Sequence, residues 1–145
     1  MQLTSENYYS REANREYMSV SQFKDFVGTY GRLGCEFTAL EKIEERWEDE
    51  KSTALMVGSY VDSYFEGTLA KFKAENPSLF KKDGGLKAEY VKADEIIARI
   101  ERDEYFMKYM SGQKQVIMTG ELFGAKWKIK IDSYIPDVAI VDLKV

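Results

Sequence analysis

Histidine is absent from this chain of 145 residues, and its absence excludes several kinds of chemistry. Without an imidazole there is no Ser–His or Cys–His nucleophilic pair, no histidine general base and no histidine-ligated zinc. Any reaction here must therefore depend on carboxylates, lysines, tyrosines or a hard metal ion such as Mg²⁺, which prefers oxygen ligands.

The chain also has little cysteine, no long apolar run and no excess of positive charge. Its single cysteine, Cys35, excludes an internal disulfide and fits a reducing cytoplasm. No run approaches the roughly 18 apolar residues of a membrane span, so we predict a cytoplasmic protein without membrane contact. The net charge of −4 excludes an overall basic field for nucleic acid. A local groove lined by lysines could still bind DNA within an acidic molecule.

Apolar periodicity predicts an α+β fold, with a mostly helical first two-thirds packed on a mixed β-sheet formed by about residues 115–145. Residues 1–18 are polar and have no clear period, so we predict a flexible N-terminal arm, followed by a single domain over 19–145. Helices are predicted over 20–27 (with Ser19 as N-cap), 35–47, 54–73 and 86–110, and strands over 115–119, 122–133 and 138–145.

The last two predicted strands bring acidic and basic side chains towards one point. They flank a short turn at 136–137, and side chains alternate between the two faces of a strand. Asp142 and Lys144 therefore share one face of the last strand, while Asp132 lies near the end of the strand before it. If these strands pair as a hairpin, Asp132, Asp142 and Lys144 converge.

Two interpretations of this convergence are open from the spacing alone. Two neighbouring carboxylates repel each other unless a cation lies between them, and Mg²⁺ is commonly held by one or two carboxylates together with water and phosphate. The alternative is an exposed hairpin with ordinary surface charges. Asp142 follows the apolar run 138–141, which is typical of a buried strand, and charge at the end of such a strand favours the metal site.

The helix predicted over 54–73 contains a second acidic pair. Asp62 and Glu66 are four residues apart and so lie on one helical face, where they either face solvent or share a cation. Gly58, which costs a helix interior roughly 1 kcal/mol relative to alanine, is explained if the helix approaches a strand closely there. Asp62 would then point towards Asp132 and Asp142, and repulsion should raise the pKa of at least one of these acids.

Several of these segments together resemble the PD-(D/E)XK nuclease superfamily. The resemblance covers about residues 19–145 and is strongest to the RecB/RecE-like exodeoxyribonucleases of phages and prophages, including the exodeoxyribonuclease VIII type. The segments that carry it are Ser19-Val20-Ser21-Gln22-Phe23 followed by Cys35, the helix from Leu55 to Gly67, Gly120-Glu121-Leu122, Asp132, and Asp142-Leu143-Lys144.

The resemblance implies a restriction-endonuclease-like fold and a Mg²⁺-dependent DNA exonuclease, with Mn²⁺ as an alternative cofactor. It implies that Asp132 and Asp142 are metal ligands and that Lys144 is the catalytic lysine. Asp62 stands where many RecB-type enzymes have a histidine ligand, and a carboxylate there suits Mg²⁺ as well. Glu121 and Glu66 are weaker candidates for the site.

Lys128 and Lys130 alternate onto the same strand face as Asp132, so we expect them to contact DNA phosphates; the alternative is that they are solvated strand lysines. The expected partner is DNA, at linear duplex ends, in a bacterial or phage-infected cell. The resemblance also implies a single-strand annealing protein as a partner and a homo-oligomer of the full-length protein. Because the family continues past the D-x-K strand, we expect this chain to be incomplete at its C-terminus. The alternative function is a catalytically silent DNA-binding or assembly module that retains the fold.

Overall fold

The structure is a computed structural model that describes all 145 residues, and it confirms the α+β class. None of its helices is long and apolar enough to cross a membrane. The helices are α1 (Arg11–Glu16), α2 (Val20–Val27), α3 (Glu36–Ile43), α4 (Thr53–Glu66), α5 (Leu69–Glu75), α6 (Ala88–Glu101) and α7 (Glu104–Tyr109), with a 3₁₀ turn at Pro77–Leu79. The strands are β1 (Gly28–Thr29), β2 (Arg32–Leu33), β3 (Gln113–Leu122), β4 (Ala125–Ile135) and β5 (Ala139–Val141).

The backbone divides into two compact units, whereas the sequence predicts one domain over 19–145. The first unit comprises Met1–Glu50 and Ile117–Lys130, and the second comprises Lys51–Val116 and Ile131–Val145. Strands β3 and β4 each supply residues to both units, which is why no composition shift or linker marks the division in the sequence.

In the first unit, the N-terminal segment is packed rather than loose. Tyr8 and Ala13 are buried, and Ser10 caps α1 by accepting a hydrogen bond from the Ala13 amide. Met18 forms a parallel bridge with Trp127 of β4, with backbone hydrogen bonds on both sides. The sequence predicts a flexible arm over 1–18, whereas in the structure this segment is held by the buried side chains of Tyr8 and Ala13, which have no helical period in the sequence.

The predicted helix α2 forms as its sequence indicates. Ser19 and Gln22 make a reciprocal capping box that satisfies two otherwise unpaired amides at the start of the helix. Gly28 ends the helix with a φ of 82°, a conformation that favours glycine.

In the second unit, two predicted helices are each divided in two. Gly67, at a left-handed φ of 79°, ends α4, so that the predicted helix over 54–73 becomes α4 and α5. Asp103 accepts a hydrogen bond from the Phe106 amide and starts α7, which divides the helix predicted over 86–110. In both places a local capping group competes with continuation of the helix.

Apolar faces of α4, α6 and α7 form the main core of the second unit. Its buried members are Tyr60, Val61, Leu79, Tyr90, Ala93, Ile97, Met110 and Leu143. Ile96, Ile100 and Phe106 pack against this cluster, so the apolar side chains within the helix predicted over 86–110 face the core. The buried Leu143 anchors the C-terminal segment to the helices.

The C-terminal sheet has the order β3-β4-β5. β4 and β5 pair antiparallel, with Ser133 opposite Val141, which confirms the predicted hairpin. β3 and β4 are connected at Phe123-Gly124, where both residues have positive φ, as in a type I′ turn. The predicted break at 120–121 is therefore wrong. β5 is also shorter than predicted, and residues 142–145 lie beyond its last paired residue.

Candidate active site

The predicted acids meet in the second unit, where β5 ends beside residues 132–133 of β4. Ser133 pairs with Val141, so continuing that register by one residue sets Asp132 opposite Asp142. The Leu143 amide donates a hydrogen bond of 2.7 Å to Oδ2 of Asp132. This bond fixes the terminal segment against β4, with buried Leu143 facing inward and Asp142 and Lys144 exposed on the other face, as strand alternation predicts.

Asp62 of α4 lies beside Asp132. Both line a small cavity, which they share with Phe65, Glu66, Met110, Gln115 and Leu143, and which has room for about one water molecule. Oδ1 of Asp62 is buried and has no hydrogen-bond partner in the protein. Burial of a carboxylate oxygen without a donor is unfavourable, so this atom indicates a place for a cation or water.

The charges around Asp62 change its pKa as expected for clustered acids. Its pKa rises from 3.8 to about 6, first because burial disfavours the charged form, and then because Asp132, Glu66 and Asp142 repel it while Lys144 opposes the rise. The prediction that one of the acids has a raised pKa is confirmed. Gly58 does not explain this placement: a Cβ there would meet nothing within 4 Å, so the predicted close approach at Gly58 is wrong.

Lys144 extends from the terminal segment as the cation of the cluster. Its Nζ lies 2.5 Å from Oδ2 of Asp142, and its side chain is 82% exposed. The hydrogen bond to Asp142 is the main cause that raises the pKa of Lys144, with smaller contributions from Asp132 and Asp62. Lys144 therefore stays charged at neutral pH and is free to reach a ligand.

These residues suit a hard divalent cation. All the charged acceptors are carboxylates, and the buried oxygen of Asp62 lacks a donor. No group of three or more acidic or thiol side chains is already collected at ligating distances. Mg²⁺ does not need such a group, since it typically takes one or two carboxylates and keeps water for its other positions.

The other predicted residues are distributed differently. Glu66 lines the cavity with Asp62. Glu121 lies in the first unit, exposed near the end of β3; the pKa of Lys126 is raised mainly by its hydrogen bond to Glu16, and the charge of Glu121 adds the smallest contribution. Lys130 also lies in the first unit, with its Nζ 5.9 Å from the ring centre of Tyr8 and 5.1 Å from that of Tyr9. Contacts of Lys130 with phosphate and roles for Glu66 and Glu121 remain predictions.

Lys128 does not fit the expected DNA contact. It is only 1% exposed, and its Nζ donates hydrogen bonds to the Tyr8 carbonyl at 2.6 Å and to Oδ1 of Asn14 at 2.7 Å. Desolvation lowers its pKa. Its ammonium thus ties the N-terminal segment to β4 within the first unit, and strand alternation alone could not reveal that this face is covered there.

Sequence reasoning missed Gln115 and Lys114 of β3. Nε2 of Gln115 donates to Oδ1 of Asp132 at 3.3 Å. Desolvation lowers the pKa of Lys114, and the charge of Asp132 partly opposes this decrease. The available signal was the Phe123-Gly124 turn: a two-residue turn there folds β4 back along β3 and brings the start of β3 near Asp132.

An α+β fold with one acid within a strand, a second acid just past the end of the neighbouring strand, a lysine two residues after the second acid and a third acid on a helix defines a PD-(D/E)XK nuclease-like domain. The chain belongs to the family described as "PDDEXK-like domain of unknown function (DUF3799)", which matches residues 19–145.

A crystal structure from Eubacterium rectale, described as a "putative exonuclease", is 77% identical to this chain, with a TM-score of 0.95. The match covers 99% of this chain and 54% of that one, so this chain spans about half the length of the solved relative. No curated protein matches this chain.

Proposed function

We propose that this chain carries the active site of a divalent-metal-dependent nuclease, an exonuclease that hydrolyses DNA from linear duplex ends. The observation that carries the proposal is the buried, partnerless Oδ1 of Asp62 in the cavity it shares with Asp132, next to Asp142 and Lys144. Membership of a PDDEXK-like family and similarity to a protein described as an exonuclease support it.

In the proposed reaction, different residues of the chain bind the metal ion, position its ligands and contact the phosphate. Asp132, Asp142 and Asp62 would hold Mg²⁺ or Mn²⁺. When bound, that ion would acidify a water molecule and offset the negative charge that builds up on the phosphoryl oxygens. The Leu143 amide and Gln115 hold Asp132 in place. Lys144, charged and exposed, would hydrogen-bond to the scissile phosphate or orient the attacking water.

A groove next to Lys144 suits the approach of a DNA strand. Arg99, Arg102 and Lys144 line it over a floor that includes Ile100 and Phe106, while Asp103 and Glu104 stand on the same rim. The exposed guanidinium groups could contact phosphates, which position a nucleic acid without reading its sequence. A role in phage-type recombination or repair, with a single-strand annealing protein and a homo-oligomer of the longer protein, belongs to this proposal.

End-labelled linear duplex DNA, incubated with the protein and Mg²⁺, tests the activity. We expect progressive shortening from the ends, no cutting of a covalently closed circle and no reaction in EDTA. Lys144→Ala should lower the rate by about 100-fold or more, since one such donor to a developing oxyanion contributes about 10²–10³. Lys92→Ala, an exposed lysine of α6, is the matched control and should retain the rate. Cutting of the circle would contradict an exonuclease, and an active Lys144→Ala variant would contradict the assigned site.

A catalytically silent DNA-binding or assembly module is the second candidate. Two observations favour it: no three acids are collected at ligating distance, and Asp142 and Lys144 are paired with each other. Mn²⁺ titration followed by electron paramagnetic resonance separates the two candidates, because a nuclease site binds Mn²⁺ through Asp132 and Asp142. A silent module that binds no Mn²⁺ would still retain DNA in a gel-shift assay.

A further inference from the structure

Gln115 occupies an unusual position in β3. Its φ of 53° lies in the left-handed region, which non-glycine residues adopt rarely and at a cost, yet it stands inside a strand. A positive φ inside a strand breaks the simple alternation of side chains and redirects one of them, as happens at β-bulges next to active sites. The side chain redirected here is an amide that faces an acid.

The contacts of that amide all belong to the candidate active site. Nε2 of Gln115 donates to Oδ1 of Asp132, and Gln115 lines the small cavity in which Oδ1 of Asp62 has no partner. Oδ2 of Asp132 already accepts the Leu143 amide. Asp132 is thus held from both sides, by a side chain of β3 and by the backbone of the segment that carries Asp142 and Lys144.

We propose that Gln115 is a positioning residue that fixes the carboxylate of Asp132 for cation binding and couples β3 to the terminal segment. Because Nε2 donates to Asp132 and Gln115 lines the cavity, this side chain holds the acid without adding a charge to the site. A carboxylate in the same place would add a further negative charge beside Asp132 and Asp62. The left-handed backbone conformation at residue 115 is therefore explained by the direction in which the Gln115 side chain must point to reach Asp132. Pairing within the strand does not require it. This inference rests on the proposed metal site, although one of its tests does not.

The first test needs no metal. Amide hydrogen exchange at Leu143 reports whether Asp132 is held, because that amide donates to Oδ2 of Asp132. In Gln115→Leu we expect exchange at Leu143 to become about tenfold faster than in the wild type, with the amides of α4 and α6 unchanged. Gln113→Leu, an exposed residue of the same strand, is the matched control and should leave Leu143 unchanged. Unchanged exchange at Leu143 in Gln115→Leu overturns the proposal.

A second variant covers the case in which Gln115→Leu does not fold. Asparagine adopts positive φ more readily than most residues, so Gln115→Asn keeps the backbone, but its side chain is one methylene too short to reach Asp132. It should show the same faster exchange at Leu143.

The second test measures cation affinity by Mn²⁺ titration. Gln115→Leu and Gln115→Asn should bind Mn²⁺ about tenfold more weakly than the wild type, in the range typical for groups that orient metal ligands. Gln115→Glu adds a negative charge beside the acids. Without metal, this variant should melt at a lower temperature than the wild type. Mn²⁺ should raise the melting temperature of the variant by more than it raises that of the wild type. A merely structural role would lower the melting temperature equally with and without Mn²⁺.

The two tests separate the two proposals. If the wild type binds no Mn²⁺, the proposed function fails, and the exchange at Leu143 still decides whether Gln115 positions Asp132. If the wild type binds Mn²⁺ and the Gln115 variants bind it equally well, with unchanged exchange at Leu143, the role of Gln115 fails while the metal site stands.

Discussion

At the scale of single residues, the charged form of Asp62 is electrostatically unfavourable in the folded protein. The carboxylate is half-buried, one oxygen lacks a donor, and burial together with the neighbouring acids raises its pKa to about 6. A group whose pKa is higher in the folded than in the unfolded state contributes stability that is full below about pH 4 and is lost as the pH rises through about 6. Ionised Asp62 therefore destabilises the metal-free protein at neutral pH.

Asp62→Asn should reverse that penalty. We expect the metal-free variant to be more stable than the wild type at pH 7.5 by about 1–2 kcal/mol, which allows for the partial exposure of the group. The difference should shrink towards zero near pH 4, where the wild-type carboxyl is protonated. Urea unfolding at several pH values measures it. Mn²⁺ affinity should fall at the same time, since a ligand is lost.

Glu95→Gln, on the exposed face of α6, is the control and should change neither quantity. A stability difference between wild type and Asp62→Asn that does not depend on pH would show that Asp62 is an ordinary solvated residue of its helix.

At the scale of elements, the close contact that positions the sheet lies at Gly112, not at Gly58. A Cβ at Gly112 would lie 2.5 Å from the Tyr134 carbonyl oxygen and 2.7 Å from Oγ of Ser133. The Gly112 amide donates to that hydroxyl, which in turn donates to the Tyr109 carbonyl. The fully buried Ser133 thus joins the end of α7 to β4, immediately next to Asp132.

Alanine at the two glycines should act in opposite directions. Gly112→Ala forces backbone atoms apart and should destabilise the protein by about 1–3 kcal/mol, as overpacking does. Gly58→Ala adds a methyl group to open space within α4 and should stabilise it by about 1 kcal/mol through helix propensity. Chemical denaturation of both variants measures the contrast. Equal effects would contradict the assignment of Gly112 as the point of close approach.

At the scale of the whole molecule, the two compact units bury very different amounts of apolar side chain. The main core cluster lies entirely in the second unit, whereas the buried apolar residues of the first are Tyr8, Ala13 and Ala39. The first unit depends more on polar contacts, among them the hydrogen bonds of the buried Lys128 ammonium. Local opening takes less free energy where fewer apolar contacts are lost.

Hydrogen exchange should therefore show faster opening in the first unit than in α4 and α6. Lys128→Met leaves the Tyr8 carbonyl and the Asn14 side chain without their donor, at a cost of about 1–3 kcal/mol. We expect it to accelerate exchange over 8–17 and to leave α4 and α6 protected. Lys130→Met is the control, because the Lys130 amino group makes no hydrogen bond that the substitution would remove. It should have a smaller effect than Lys128→Met. Equal acceleration in both units would contradict their separate stability.

The sequence by itself determined the features that depend on neighbouring residues. The N-cap at Ser19, the helical period of the α6 segment and the β4–β5 turn each follow from short-range rules, and all three are present. Alternation along the terminal segment also placed Asp142 and Lys144 together on its exposed face. The family resemblance rested on the same short motifs, and the match over 19–145 confirms the PD-(D/E)XK family, while the RecE-like type remains a prediction.

Only the tertiary structure decided which polar groups are covered and by what. Lys128 and Lys130 look equivalent in the sequence, yet Lys128 is buried because Tyr8 and Asn14, more than a hundred residues away, close over it. The φ of 53° at Gln115, whose amide donates to Asp132, is not marked by any sequence pattern. The missing partner of Asp62 is likewise a property of packing. Burial and hydrogen-bond satisfaction depend on contacts between distant residues, and local patterns do not contain them.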